Sequence, residues 1–150
     1  MPEALPPSEQ LRGLVRQAYS EAAVRPDSRH SFPVGRAFAE KLGYPKDLLD
    51  ALPAAAVEAF TGVSCISLVA SVRSNDRVLD LGCGAGLDSL ILARHMGSEG
   101  QIVAVDFSDA MLGRARQAVI EAQATNILCC KADAEALPLP ENSIDVALVN

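Results

Sequence analysis

The sequence predicts an α/β fold in which an open, doubly wound parallel sheet of strand order 3-2-1-4 lies beneath an N-terminal helical cap. From residue 77 onwards, short apolar runs alternate with segments long enough to be helices. The glycine-rich turn DLGCGAG directly follows the first of these runs. Upstream, helical periodicity is interrupted by prolines. We therefore expect residues 1–72 to form the cap and residues 73–150 to form a sheet-bearing half-domain.

The cap is predicted to consist of one amphipathic helix and several short ones. Apolar residues recur every three or four positions after a possible N-cap at Ser8, which indicates a helix to about Ala23. A polar connector with two prolines follows at residues 25–33. Gly43 is expected to end the next helix, and Pro53 suits the first turn of another. The short helices are predicted at residues 34–42, 46–52, 53–60 and 66–72.

The second half is predicted to alternate strands with helices, as in sheets whose parallel strands are joined by right-handed crossovers. Gly97 should end the first helix, which begins at residue 87. Asp88 and His95 stand seven residues apart on that helix, which predicts a shared polar face turned to water. The second helix begins at Ser108 or Asp109 and should bury the face of Met111, Leu112, Ala115, Ala118, Val119 and Ala122. Strands are predicted at residues 77–81, 101–106, 127–131 and 144–150.

Composition and charge exclude several classes of function. The 150 residues are 49% hydrophobic and 21% charged, as in a soluble globular protein, with a net charge of -6 and no basic run that could meet a phosphate backbone. Neither a membrane span nor a signal peptide is visible. We expect a cytoplasmic protein that binds neither nucleic acid nor membrane. Metal binding is not expected either, because the spacing of the cysteines and histidines does not match a zinc site. The residues concerned are Cys65, Cys83, Cys129, Cys130, His30 and His95.

The glycine turn after the first strand is the candidate binding element. Gly82, Gly84 and Gly86 stand where open α/β sheets bind ligands, and glycine allows both positive φ and close approach of a ligand. A phosphate-binding P-loop needs Gly-Lys-Ser or Gly-Lys-Thr, but here Leu87 and Asp88 follow the last glycine. A dinucleotide fingerprint needs glycine or alanine at position 87. The turn therefore fits neither pattern.

Acidic residues at the strand ends suggest which ligand the turn holds. Asp80 precedes the turn, where it would repel a pyrophosphate and attract an ammonium group. Asp106 ends the second strand and is placed to accept hydrogen bonds from ribose hydroxyls, and Phe107 could lie against an adenine. Asp133, with the Ala134 backbone beside it, follows the third strand and could accept from the adenine amino group. S-adenosylmethionine, which is cationic and has no phosphate, matches this set.

The set of motifs resembles the class I S-adenosylmethionine-dependent methyltransferases, which have a Rossmann-like fold. The matching residues are DLGCGAG, Asp106, ADAEALP at 132–138 and the apolar run after Asp145. The segments LGYPKDLLDALPAAAVEAFTGVS and VAVDFSDAMLGRARQ are similar to the arsenite methyltransferase group. The resemblance implies that Asp80 faces the methionine amine and that the backbone from Gly82 through Cys83 to Gly86 lines methionine and ribose. It also implies that Asn150 borders the methyl-transfer site.

The acceptor is less well defined than the cofactor. The arsenite enzymes use cysteine thiolates, one of which aligns with Val63, two residues from Cys65. Cys129 and Cys130 point to opposite faces of a strand and cannot grip one atom together. Methylation of carbon or oxygen in a quinone or another small metabolite fits the segment AEALPLPENSID equally well. An NAD-dependent dehydrogenase, disfavoured by Leu87, and a non-catalytic cofactor-binding protein are the remaining alternatives.

The fourth strand raises a separate expectation. The family's sheet continues with three later strands, which are absent from this sequence. An apolar strand at residues 144–149 would then form an open sheet edge, which is prone to pairing with other chains. The sequence is therefore predicted to be a fragment or to be completed by a partner chain, with self-association through the fourth strand.

Overall fold

The computed structural model describes residues 8–150 and contains a four-stranded sheet of order β3-β2-β1-β4 with every pair parallel. The first seven residues, part of the predicted cap, lie outside the described residues. The predicted fold class and strand order are confirmed. The strands are β1 (Arg77–Leu81), β2 (Gln101–Asp106), β3 (Ile127–Lys131) and β4 (Val146–Val149).

Within residues 8–72 the cap contains five helices, four of which are shorter than the sequence predicts. Its first helix, predicted from a possible N-cap at Ser8 to about Ala23, is described from Ser8 to Val24. Gly43 ends the second helix in a left-handed conformation, as predicted, whereas Pro53 is the N-cap of the fourth and lies just outside it. Short helices of this kind depend on packing rather than on their own propensity, so their ends are poorly encoded. The helices are α1 (Ser8–Val24), α2 (Arg36–Leu42), α3 (Lys46–Asp50), α4 (Ala54–Val57) and α5 (Ile66–Val69).

One helix connects β1 to β2, and another connects β2 to β3. They are α6 (Leu87–Met96) and α7 (Asp109–Glu121). The Ser108 hydroxyl caps α7 by accepting from the Met111 amide at 3.2 Å. Of the predicted apolar face, Leu112 packs with Ala104 of β2 and Met111 packs with Ala22 of the cap. Ala122 departs from that prediction because it lies at the exposed C-cap.

The cap and the sheet share a hydrophobic core. Leu49 and Phe60 of the cap belong to the same buried cluster as Leu87 and Ile91 of α6. Nearly every residue of α6 is therefore buried, including the polar Asp88. This packing fixes the cap over the end of the sheet from which the glycine turn leaves.

The strand register brings the predicted acidic residues to one edge of the sheet. Asp80 pairs with Ala104 one position before the end of β1, and Asp106 ends β2 opposite Lys131. The carboxyl ends of these parallel strands therefore lie side by side beneath the cap. β4 lies at the edge of the sheet, where Val149 is 65% exposed, so self-association through this strand stays a prediction. No helix within residues 8–150 has the length and apolar character needed to cross a membrane.

Candidate functional site

A cavity of about 250 Å³ lies between the glycine turn and the cap. It brings together six residues that the sequence singles out, namely Asp80, Gly82, Cys83, Gly84, Phe107 and Asn150. The cap supplies the opposite wall, including Tyr19, Phe60, Thr61 and Gly62. Over the described part of the chain, no Lys, Arg or His lines this cavity. Its charge therefore favours a cation and disfavours a phosphate.

The glycine turn has a conformation that other residues rarely adopt. The φ angles of Gly82, Gly84 and Gly86 are +73°, +55° and +87°. The amides of Gly82 and Cys83 both donate to the Val105 carbonyl at 2.8 Å, which ties the turn to β2. A Cβ on Gly82 would meet no atom within 4 Å, so this part of the turn faces open space. Gly86 does not line the cavity and instead lies against α7, where a Cβ would come within 3.3 Å of the Ala115 Cβ.

Asp80 places a buried carboxyl group in the wall of the cavity. The residue is 2% exposed, and its Oδ2 accepts from the Ser89 hydroxyl at 2.6 Å. Burial raises the pKa of Asp80 to about 7, the Ser89 hydrogen bond opposes this shift, and the nearby carboxylates of Asp88 and Asp106 raise the pKa further. A cation bound in the cavity would reverse this balance by favouring the ionised form.

Asp106 connects the glycine turn to the beginning of α7. Its Oδ2 accepts from the Gly84 amide and its Oδ1 from the Ser108 amide, both at 2.8 Å. Burial raises the pKa of Asp106, and these backbone hydrogen bonds act in the opposite direction. Each carboxylate oxygen has a further lone pair, so the group can hold the turn and still accept from a ligand. Its role in binding ribose stays a prediction, because Asp106 does not line the cavity.

A second cavity, of about 310 Å³, adjoins the first. Phe107 lines both cavities, while Asp133 and Ala134 line only the second. Helix α1 covers this region: the Arg16 guanidinium carbon lies 5.7 Å from the centre of the Phe107 ring, and an Arg12 nitrogen lies 3.6 Å from the Asp133 carboxylate. The predicted adenine-binding residues therefore share one side of the site, beside the ends of β2 and β3.

Asp88 is the main site residue that sequence reasoning misses. The prediction that it shares a water-facing surface with His95 is wrong, because Asp88 is 6% exposed and lines the first cavity whereas His95 is exposed. The Tyr44 hydroxyl donates to its Oδ1 at 2.5 Å. Burial raises the pKa of Tyr44, and the Asp88 carboxylate raises it further. Its position two residues after the last glycine of the turn is the signal that could have identified it.

Comparison with known proteins connects this geometry to a family. A family model described as a methyltransferase domain matches residues 72–150. The arsenite methyltransferase of Halobacterium salinarum is 31% identical over 113 residues, covering 74% of this chain and 28% of the relative. A demethylmenaquinone methyltransferase of Listeria monocytogenes is 36% identical over 78 residues, covering 52% of this chain and 33% of the relative. The chain thus spans about a third or less of these relatives.

Solved structures show the same fold. A SAM-dependent methyltransferase from Aquifex aeolicus superposes with a TM-score of 0.54 at 22% identity, covering 76% of this chain and 55% of the other. TrmN from Thermus thermophilus superposes with a TM-score of 0.51 at 32% identity, covering 57% of this chain and 25% of the other. In both comparisons the shared fold includes much of this chain.

Proposed function

Since the chain belongs to the methyltransferase-domain family, we propose that it binds S-adenosylmethionine and supports transfer of the methyl group to a small molecule. The observation that carries the proposal is the buried carboxyl group of Asp80 beside the open face of the glycine turn. An amino-acid ammonium at this position would neutralise a charge that the fold otherwise buries at a cost. Family membership and the fold support the same cofactor.

The residues of both cavities fit this cofactor. Asp80 would hold the ammonium group, and the Gly82 to Gly84 backbone would lie along methionine and ribose. Asp106 would accept from the ribose hydroxyls. Phe107 and Asp133, with the Ala134 backbone, would hold the adenine in the second cavity. The first cavity, with Asp80, would hold the charged end of the cofactor, and the adjoining second cavity would hold its aromatic end.

The protein's contribution to catalysis in this proposal is alignment and exclusion of water. The bound cofactor supplies a methyl group that its sulfonium makes electrophilic. Alignment of two reactants can lower a barrier by about 7 to 11 kcal/mol. The cap helices and the turn enclose the cavity from opposite sides, which restricts the direction from which an acceptor can approach. No general base is assigned among these residues: a lone pair on arsenite can attack the methyl group directly, whereas methylation of a quinol carbon also releases a proton, which must pass to solvent.

Calorimetric titration with S-adenosylhomocysteine and with NAD tests the cofactor assignment. The chain should bind S-adenosylhomocysteine and not NAD. Gly84→Val should abolish binding, because a β-branched residue strongly disfavours the φ of +55°. Gly113→Ala is the matched control, since Gly113 lies exposed on α7 with no atom near its potential Cβ. Binding of NAD, or unchanged binding of S-adenosylhomocysteine by Gly84→Val at intact secondary structure, would refute the proposal.

Two small acceptors are supported by different observations. Arsenite is supported by the longer alignment, 113 residues, with an arsenite methyltransferase. A reduced quinone is supported by the 36% identity over 78 residues with a demethylmenaquinone methyltransferase. The cavity disfavours arsenite, because Cys83 is the one cysteine among its lining residues in the part of the chain described, and burial raises the pKa of that thiol well above its usual range. Arsenic binds the thiolate form of cysteine, so a single thiol that stays protonated is a poor arsenic site.

Turnover assays distinguish these acceptors. The protein and S-adenosylmethionine are incubated either with arsenite and glutathione or with a demethylmenaquinol, and the S-adenosylhomocysteine that forms is measured. If the Cys83→Ser variant still forms S-adenosylhomocysteine with arsenite, then residues other than Cys83 bind the arsenic. Product with the quinol alone would support the organic acceptor. Cofactor binding without turnover of either compound would favour the non-catalytic alternative.

A further inference from the structure

Asp88 is the centre of a buried hydrogen-bond network that joins three separate segments of the chain. The Tyr44 and Ser67 hydroxyls each donate to its Oδ1 at 2.5 Å. The Asn150 side-chain amide donates to its Oδ2 at 2.8 Å. Tyr44 precedes α3, Ser67 lies in α5 and Asn150 follows β4. One carboxylate therefore links the cap to the end of the sheet.

Asn150 extends this network to a loop of the cap. Its Oδ1 accepts from the backbone amides of Val63 and Ser64 at 3.0 and 2.8 Å, and from the Ser64 hydroxyl at 3.0 Å. Its Nδ2 also donates to the Ser64 carbonyl at 2.8 Å. The amide is thus fully engaged inside the protein. Asn150 borders the cavity, but its contacts hold the loop of residues 61–64.

The loop of residues 61–64 lies at the first cavity, on the side away from the second cavity. Thr61, Gly62, Asp88 and Asn150 all line the first cavity and none lines the second. The adenine-binding residues follow β2 and β3, whereas Asn150 follows β4 on the other side of β1. A cofactor with its adenine beside Phe107 would therefore leave the wall formed by Thr61 and Gly62 for the acceptor.

The donor pattern requires a carboxylate at position 88. Hydroxyl donors converge on one oxygen and an amide donor on the other. An asparagine accepts through one atom and donates through the other, so either orientation would set an N–H against a donor. Buried polar networks with every partner satisfied are rigid, whereas a single mismatched partner weakens them.

We propose that Asp88 is a positioning residue that acts through Asn150 to hold the loop of residues 61–64, so that Thr61 and Gly62 form the acceptor-side wall of the cofactor cavity. The inference rests on the proposed function, because it assigns that wall to the acceptor. The carboxylate touches neither cofactor nor acceptor in this role. Its effect is to fix the loop against which the acceptor is aligned.

Amide hydrogen exchange of the S-adenosylhomocysteine-bound protein provides the first test. In Asp88→Asn, the Val63 and Ser64 amides should exchange at least about tenfold faster. The reason is that Asn150, which holds these amides, loses its own hydrogen bond to a charged acceptor, the Asp88 carboxylate. The amides of Gly82 and Cys83, which donate to Val105, should keep their rates and serve as the internal reference. At pH 8, where Asp80 is already mostly ionised, the affinity for S-adenosylhomocysteine should change by less than about twofold, because loss of the Asp88 carboxylate then leaves the charge of Asp80 and the glycine turn as they are.

Two further variants keep the test decisive. Tyr44→Phe removes the hydroxyl that donates to Asp88 and also lies 3.2 Å from the Ser64 carbonyl, and it retains the ring that packs edge-on against Phe60. It therefore remains informative if Asp88→Asn does not fold, and it should speed exchange at Val63 and Ser64 about fivefold. Asp145→Asn is the matched control. Its carboxylate accepts from the Arg77 amide at the opposite end of β1, and its loss should leave the loop unaffected.

Kinetics separate positioning from general stability. With whichever of arsenite or demethylmenaquinol the wild type methylates, Asp88→Asn should raise the acceptor KM at pH 8 while the affinity for S-adenosylhomocysteine stays within the twofold limit. Equal exchange at Val63 and Ser64 in wild type, Asp88→Asn and Tyr44→Phe would overturn the inference. Failure of the wild type to bind S-adenosylhomocysteine would instead overturn the proposed function.

Discussion

The affinity of the chain for S-adenosylhomocysteine should depend on pH through Asp80. The carboxyl pKa of about 7 means that this group is mostly neutral at pH 6 and mostly ionised at pH 8. If the ligand ammonium binds only the ionised form, the dissociation constant should be about tenfold lower at pH 8 than at pH 6, equivalent to about 1.4 kcal/mol. The ligand's own charge is nearly constant over this range.

Calorimetry at pH 6, 7 and 8 measures this dependence. Asp80→Asn should bind weakly at every pH and show no dependence, because the amide cannot ionise. Asp133→Asn is the control: its carboxylate belongs to the second cavity, so the variant should retain the pH dependence whatever its overall affinity. The other titratable groups that shift the pKa of Asp80 are Asp88 and Asp106, and Asp80 in turn raises the pKa of the Cys83 thiol.

Two results would refute the reasoning. One is a wild-type dissociation constant that stays flat between pH 6 and 8. The other is an equal pH dependence in Asp80→Asn, which would assign the titration to a group other than Asp80.

Three further predictions concern binding, stability and association. Asp106→Ala should weaken S-adenosylhomocysteine binding by about ten- to a hundredfold in calorimetry, and an unchanged affinity would remove the ribose role. Because the folded pKa of Asp80 lies above its ordinary value of 3.8, its contribution to apo stability is complete below pH 4 and is lost as pH rises through about 7. Denaturant titrations should show the wild type losing up to about 4 kcal/mol relative to Asp80→Asn over that range, and parallel curves would contradict this. Val149→Lys should reduce self-association through β4 in sedimentation experiments, and a monomeric wild type would rule out that association.

The sheet and its binding edge could be predicted because their signals are local. Each strand is a short apolar run, and Gly82, Gly84 and Gly86 mark the turn by a backbone requirement that few other residues meet. Asp80 and Asp106 then follow from the register, since parallel strands bring their carboxyl ends together. These inferences need no knowledge of distant contacts.

The cap side of the site could not be predicted in the same way. Asp88 appears polar and exposed on a helical wheel, but its burial depends on Tyr44 and Ser67, which lie 44 and 21 residues away. Asn150 was expected near the acceptor, but its contacts with Val63 and Ser64 span more than 80 residues. Pairings at this range arise from tertiary packing, for which a single sequence contains no periodic signal.

The order of the strands has a consequence for biosynthesis. β1 lies in the middle of the finished sheet, but its partner β4 is joined to it by contacts such as Arg77 with Asp145, which are 68 residues apart. While the ribosome is still translating the intervening residues, β1 presents an unpaired edge with an apolar sequence. Nascent chains are thus most exposed to misassociation during this interval, and a chaperone that shields β1 would act before the ligand site exists.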